Sequence, residues 1–221
     1  MVYIIVQQMN TRSLNDVRVQ SPLRERLKQA TRDGILQAAE AVFAARGFGG
    51  ARMEEIAERA GVAVGTLYNY FQDRRAILEA VLEASAQQLS ARMREGALPP
   101  SAPFPDQLER FMRIALDEIE AHFRFHAMLV EEDLGAARTA TRRKGPAMLR
   151  VLYAHAERLV AQAVRDGALR PEDAELYPAL LVGVMRGMFM RQLCADERRP
   201  LASHLGAMTR FFLEGAGRRG S

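Results

Sequence analysis

The stretch AERAGVAVGTLYNYF, residues 57–71, commits the chain to two short helices that meet at a tight turn. Met53, Ile56, Ala57 and Ala60 are spaced i, i+3, i+4, i+7, which puts them on one face of a helix. Gly61 stands where that helix stops, because glycine enters the left-handed region without a Cβ penalty. Three residues later the pattern restarts, with Leu67 and Phe71 inward and one turn apart. Gly65, Thr66, Tyr68, Asn69 and Tyr70 fall on the other faces. A second helix that is apolar inward and short and polar outward suits the major groove of DNA.

The flanking sequence extends this pattern in both directions. A first helix is expected over about 24–46, with Leu27, Ile35, Ala38, Val42 and Phe43 as its inward stripe and Gly47 as its end. Helices over about 53–60 and 64–70 follow. Asp73 is a good N-cap for a fourth helix that runs to about residue 94 through Ile77, Leu78, Val81, Leu82, Leu89 and Met93. The proline-rich run GALPPSAPFPD at 96–106 breaks it. Further helices are expected over about 106–121, 122–134, 143–166, 172–195 and 199–215, with breaks at Gly135, Gly145-Pro146, 166–171 and 197–200. No segment alternates as a strand does. The chain therefore reads as all-α, with about nine helices: an extension (1–22), a helix–turn–helix domain (23–72), a connecting helix (73–95) and a helical C-terminal domain (96–221).

Bulk properties set outer bounds. The 221 residues suffice for one large domain or two small ones, and 48% hydrophobic content supplies a core. The net charge of +4 is a mild basic bias, compatible with nucleic acid and weak evidence by itself. Lys28 and Lys144 are the only lysines, so arginine carries nearly all the positive charge, which reads as composition bias before it reads as a binding signal. Cys194 is the single cysteine, expected as a small buried residue on a helix. It excludes an internal disulfide or a multi-cysteine metal site and fits a reducing compartment. No apolar run approaches the ~18 residues of a membrane span. The N-terminal VYIIV is too short for a signal sequence and has no basic residues before it. A cytoplasmic location without a membrane partner is expected.

Three segments together carry a resemblance: ILQAAEAVFAARGFGG (35–50), MEEIAERAGVAVGTLYNYF (53–71) and DRRAIL (73–78). They resemble the DNA-binding domain of the TetR family of one-component regulators. The resemblance implies DNA contacts from Arg52, Ala63, Val64, Gly65, Thr66, Tyr68, Asn69, Tyr70 and Arg74. The side chains suit such roles. Gly65 lets the backbone approach a phosphate, and Thr66 offers a hydroxyl to phosphate and a methyl to thymine. Tyr68 and Tyr70 offer phenol donors, and Asn69 can pair with adenine. Arg74 can clamp the flanking backbone at the positive end of the fourth helix. The chain also departs from the family pattern. Ala63 and Val64 stand where a serine or lysine pair is frequent, and Ala51 and Arg52 where threonines are common. The second helix so lacks an N-cap side chain, while Arg52 gains reach toward a phosphate. Upstream, Arg12, Arg18, Arg24, Arg26, Lys28 and Arg32 oppose only Asp16 and Glu25. This run is either a solvated charge cluster or an arm that tracks phosphates.

One helix–turn–helix reads few base pairs, so a homodimer on a palindromic double-stranded operator is expected. Residues 176–194 are nearly apolar all round and should be buried on several sides, with Gly183 and Gly187 allowing close helix approach. Residues 201–213 add Leu201, Leu205, Met208, Phe212 and Leu213. By resemblance these last two helices pair with their mates as a four-helix bundle; the alternative is that both are core of a monomer. The resemblance also implies a small-molecule effector among the C-terminal helices. Candidate liners are Phe111, Met112, Phe123, Phe125, Met128, Tyr153, Met185, Met188 and Phe189, with His122, His126, Glu131, Glu132 and Arg186 as polar neighbours. For any single one of these, ordinary core packing is the better explanation. His122 and His126 are i, i+4, but no third ligand accompanies them, so no metal is expected, nor any cofactor. Arg142-Arg143-Lys144 reads as a solvated run. The chain has no phosphate-binding glycine loop, nucleophile elbow or zinc motif, so it is not expected to be an enzyme. The expected activity is that of a repressor released from its operator when an effector tilts the fourth helix; the alternative is a ligand-independent architectural DNA-binding protein.

Overall fold

The computed structural model describes residues 22–131 and 147–216. Nine α-helices and no strand occur among them: α1 (Pro22–Gly50), α2 (Met53–Arg59), α3 (Val64–Tyr70), α4 (Arg74–Glu95), α5 (Phe104–Ala121), α6 (Phe123–Glu131), α7 (Ala147–Arg165), α8 (Tyr177–Leu193) and α9 (Leu205–Ala216). A short 3₁₀ turn, Leu201–His204, leads into α9. The expected N-terminal extension with Arg12 and Arg18, the breaks at Gly135 and Gly145-Pro146, Glu132 and the Arg142–Lys144 run lie outside the described residues.

Local signals place most boundaries. Gly47 breaks the regular path of α1 with φ 73°, a conformation that favours glycine. Asp73 adopts an extended conformation and its carboxylate accepts from the Ala76 amide at 2.8 Å, which caps α4. α8 starts later than the pattern predicts, at Tyr177, because the chain turns first through Asp173 at φ 61°.

Two hydrophobic cores form. The first unites α1, α2, α3 and the first half of α4 around Ile35, Phe43, Ile56, Leu67 and Ile77, each fully buried. The second gathers the end of α4 with α5, α7, α8 and α9 around Leu89, Leu108, Met112, Leu116 and Leu181. α4 thus passes from one core into the other. α6 joins them a second time: Phe123 packs in the C-terminal core, while Phe125 and Met128 complete the N-terminal one. Residues 125 and 128 are i, i+3 on one face of α6, and that face lies against α1. Phe125 and Met128 therefore belong to the core of the helix–turn–helix domain, not to a lining of the C-terminal helices.

Three further expectations are corrected. Leu27 is 60% exposed instead of inward, because the first nine residues of α1 project past the helices it packs on. α8 buries one face only: Leu181, Val182, Met185 and Phe189 turn inward while Leu176, Leu180 and Met190 stay exposed. Cys194 is exposed at the C-cap of α8 instead of buried within the helix.

Phe125→Ala should remove about 3–5 kcal/mol of stability, the usual loss for a fully buried aromatic. Urea unfolding followed by circular dichroism reads this, the chain having no tryptophan.

Candidate nucleic-acid interface

The α2–α3 corner is held from inside. Met53, Ile56 and Ala57 bury one side of α2, and Leu67 and Phe71 bury one side of α3. At the turn Gly61 has φ +68°; its amide donates to Glu58 O and the Val62 amide to Ala57 O, both at 3.0 Å, which satisfies the last carbonyls of α2. Arg52 is the N-cap residue of α2 and makes no side-chain capping bond, as its chemistry requires. Its side chain is exposed.

With the apolar side fixed, the opposite side of α3 is open. Ala63, Val64, Gly65, Tyr68 and Asn69 are exposed, Tyr68 by 50%. Thr66 and Tyr70 are half-buried, and Tyr70 leans on the head core. The Arg32 guanidinium sits 5.5 Å from the Phe71 ring and so ties α1 to the end of α3. A short helix with small and polar groups outward and no competing acid among those groups is suited to lie in a groove.

Arg74 has an internal function as well. Its Nη1 donates to Gly49 O at 2.9 Å and Ala51 O at 2.7 Å, and the guanidinium lies over the Phe48 ring at 4.5 Å. It therefore ties the start of α4 to the loop between α1 and α2, and a phosphate contact from it must be made alongside these bonds. Arg46 and Glu55 pair at 3.1 Å across the same loop.

The residues proposed for effector binding do not line one space. Phe111, Met185, Met188 and Phe189 share the C-terminal core. Tyr153 is 36% exposed on α7. Phe125 and Met128 point to α1, as described. His122 ends α5, where its Nδ1 bonds Glu40 Oε1 of α1 and its Nε2 lies 3.7 Å from Glu118 Oε1. His126 is half-buried, but its Nε2 is enclosed and has no partner; its ring meets Phe189 edge-on. Burial and the neighbouring His122 lower its pKa to about 4. No group of three potential ligands able to hold a metal occurs among the described residues. Glu40, Arg92 and Glu118, the charged groups around His122, were not singled out from sequence. A glutamate between Ala115, Leu116 and Ile119 on an amphipathic helix was the one available signal.

Residues 35–81 match the family model described as bacterial regulatory proteins, tetR family. Over these residues the chain carries a TetR-type DNA-binding domain. Among curated relatives it is similar to an uncharacterised HTH-type transcriptional regulator, YhgD of Bacillus subtilis (strain 168), at 23% identity over 64% of this chain and 73% of the relative. It is also similar to the HTH-type transcriptional regulator UidR of Escherichia coli (strain K12), at 36% identity over 30% of this chain and 34% of the relative. The second match thus spans about a third of that relative's length. A solved structure, the transcriptional regulator FadR from Bacillus subtilis in complex with stearoyl-CoA, superposes with a TM-score of 0.73 over 83% of this chain and 98% of that one. The two are 20% identical, so the likeness is one of fold. A TetR-family transcriptional regulator binds DNA and is not an enzyme. Among the described residues no helix is long and apolar enough to cross a membrane.

Two outcomes are expected here. Arg74→Ala should cost about 1–3 kcal/mol, since a charged donor leaves two carbonyls unmet, and should broaden the amide NMR signals of residues 48–53. For His126 the folded pKa lies below the ordinary 6.5, so the unfolded chain binds more protons between pH 6.5 and 4. Its contribution to stability is therefore lost as pH falls from 6.5 toward 4, and His126→Phe should flatten that acid limb of the stability curve.

Proposed function

We propose that this TetR-family regulator is a homodimeric repressor that reads a palindromic operator through α3 and releases it when a small molecule binds the C-terminal helices. The carrying observation is the open face of α3 above a turn fixed by buried Leu67 and Phe71. On it Tyr68 and Asn69 extend farthest and make the base or phosphate contacts that decide register. Val64 and Thr66 offer methyl groups to thymine. Ala63 and Gly65 let the backbone approach, and Arg52, Tyr70 and Arg74 meet flanking phosphates. Arg24, Arg26 and Lys28, exposed on the projecting start of α1, add sequence-independent attraction.

Pairing is supported by the outer face of α8 and α9. Leu176, Leu180, Gly183, Gly187 and Met190 form one exposed stripe along α8, and Phe211 on α9 is 69% exposed. A Cβ built on Gly183 or Gly187 meets nothing within 4 Å, so the glycines leave room for a partner helix. Effector binding falls to the Met- and Phe-rich C-terminal core, where Phe111, Met185, Met188 and Phe189 meet. The cytoplasm is its place of action.

Selection of bound sequences from randomised duplexes, then anisotropy titration, tests the reading. An enriched palindrome binding two subunits is expected. Tyr68→Ala or Asn69→Ala should weaken it roughly 10-fold or more without loss of fold, both side chains being exposed. Leu180→Arg should yield a folded monomer by sedimentation equilibrium, with operator affinity falling alongside. A dimer that binds every duplex alike, following salt alone, would replace the operator reader with an architectural protein. A ligand panel on the selected operator then tests release; long-chain acyl thioesters belong in it because stearoyl-CoA is bound in the FadR structure.

A further inference from the structure

The two nitrogens of His122 each face a different carboxylate, and those carboxylates come from different parts of the molecule. Nδ1 bonds Glu40 Oε1 on α1, within the helix–turn–helix core. Nε2 faces Glu118 Oε1 on α5 at 3.7 Å, within the C-terminal body. Glu118 is 2% exposed; Arg92 of α4 holds its Oε2, while its Oε1 is enclosed and has no hydrogen-bond partner. A neutral imidazole carries one N–H and can donate to one carboxylate only; the imidazolium donates to both. The orphaned Glu118 oxygen is thus an acceptor that a second His122 proton would face across 3.7 Å. On the remaining side, α6 contributes His126, which is neutral at ordinary pH.

We propose that His122 is a proton-operated latch between the DNA-reading head and the C-terminal body: the imidazolium at the end of α5, with Glu118 facing its other nitrogen, holds Glu40 of α1 by a charge-assisted hydrogen bond, and loss of its proton weakens that bond. The latch sits where it can matter. It lies at the α5–α6 corner, three residues before Phe125, whose ring α6 inserts beside α1. Glu40 adjoins buried Ala39 and lies one turn from Phe43. Freeing the corner therefore loosens the same helix pair that completes the head core.

The direction of the pH effect follows. The hydrogen bond to Glu40 raises the His122 pKa above 6.5 against the opposing effect of burial, and the charges of Glu40 and Glu118 add to the rise while Arg92 opposes it. A raised folded pKa means the clamp is fully present below pH 6.5 and is lost as pH climbs through the folded value.

The test uses the full-length protein. The four histidines of the chain are titrated by NMR and assigned with His→Gln variants. His122 should titrate above 6.5, and Glu40→Gln should bring it down. Amide exchange of residues 35–43, corrected for the intrinsic pH dependence of exchange, should rise several-fold as His122 loses its proton. In His122→Gln it should be high and flat with pH. Titration of His122 at or below 6.5, or exchange that stays level through its titration, would overturn the latch. The consequence for DNA rests on the operator reading above: affinity for the selected operator should shift several-fold over the same step in the wild type and not in Glu40→Gln. An exchange step with unchanged operator affinity keeps the latch and rejects its control of reading, while absence of any selected operator rejects the reading alone.

Discussion

The packing of α6 against α1 is the interaction on which the arrangement of this molecule depends. A three-helix head of this size has a small core, and small cores are marginal by themselves. Here the head borrows Phe125 and Met128 from a helix about fifty residues downstream of α3. The open face of α3 is therefore stabilised in part by the same helix that sends Phe123 into the C-terminal body. Anything that displaces α6 is felt in the head as a packing defect, because interiors close-packed to this degree respond by discrete rearrangement and not by gradual deformation. The straight connection through α4 is real, but it is one of two.

What could be read from sequence was what short-range physics decides. The α2–α3 turn is fixed by Gly61 and by stripes only four residues apart, so every determinant lies within one window. The same holds for Asp73, whose capping bond spans three residues. The open face of α3 followed once Leu67 and Phe71 were assigned inward. The illegible parts all involve partners remote in the chain. Periodicity marked Phe125 and Met128 as apolar but could not tell which core would receive them, since α6 presents apolar residues to two. Leu27 continued a valid stripe on a helix that simply outruns its neighbours. Glu40 and His122 are 82 positions apart, and nothing local to either announces the other. Arg74 was legible as a basic group at a helix start, and its bonds to Gly49 and Ala51 depend on the loop's fold.

The C-terminal helices show the same division. The apolar character of α8 was plain, but a single chain covers only half of it. The sequence contains enough apolar residues for two faces, and intrachain packing uses one. An exposed stripe of leucine, glycine and methionine is poorly matched to water, and its regular spacing suits another helix better than an irregular loop. The second face is left uncovered by the chain's own packing.

The projecting start of α1 makes this helix a lever. From Ile35, where burial begins, to Pro22 it runs about 20 Å at the standard helical rise. A rotation of only ~5° about the α6 contact would move the tip by about 2 Å at that length, more than half the reach of a hydrogen bond, while residues at the pivot scarcely shift. The basic groups at Arg24, Arg26 and Lys28 ride on the long arm. Small adjustments at the corner where α5 meets α6 are in this way amplified into a displacement large enough to make or break contacts at the opposite end of the helix.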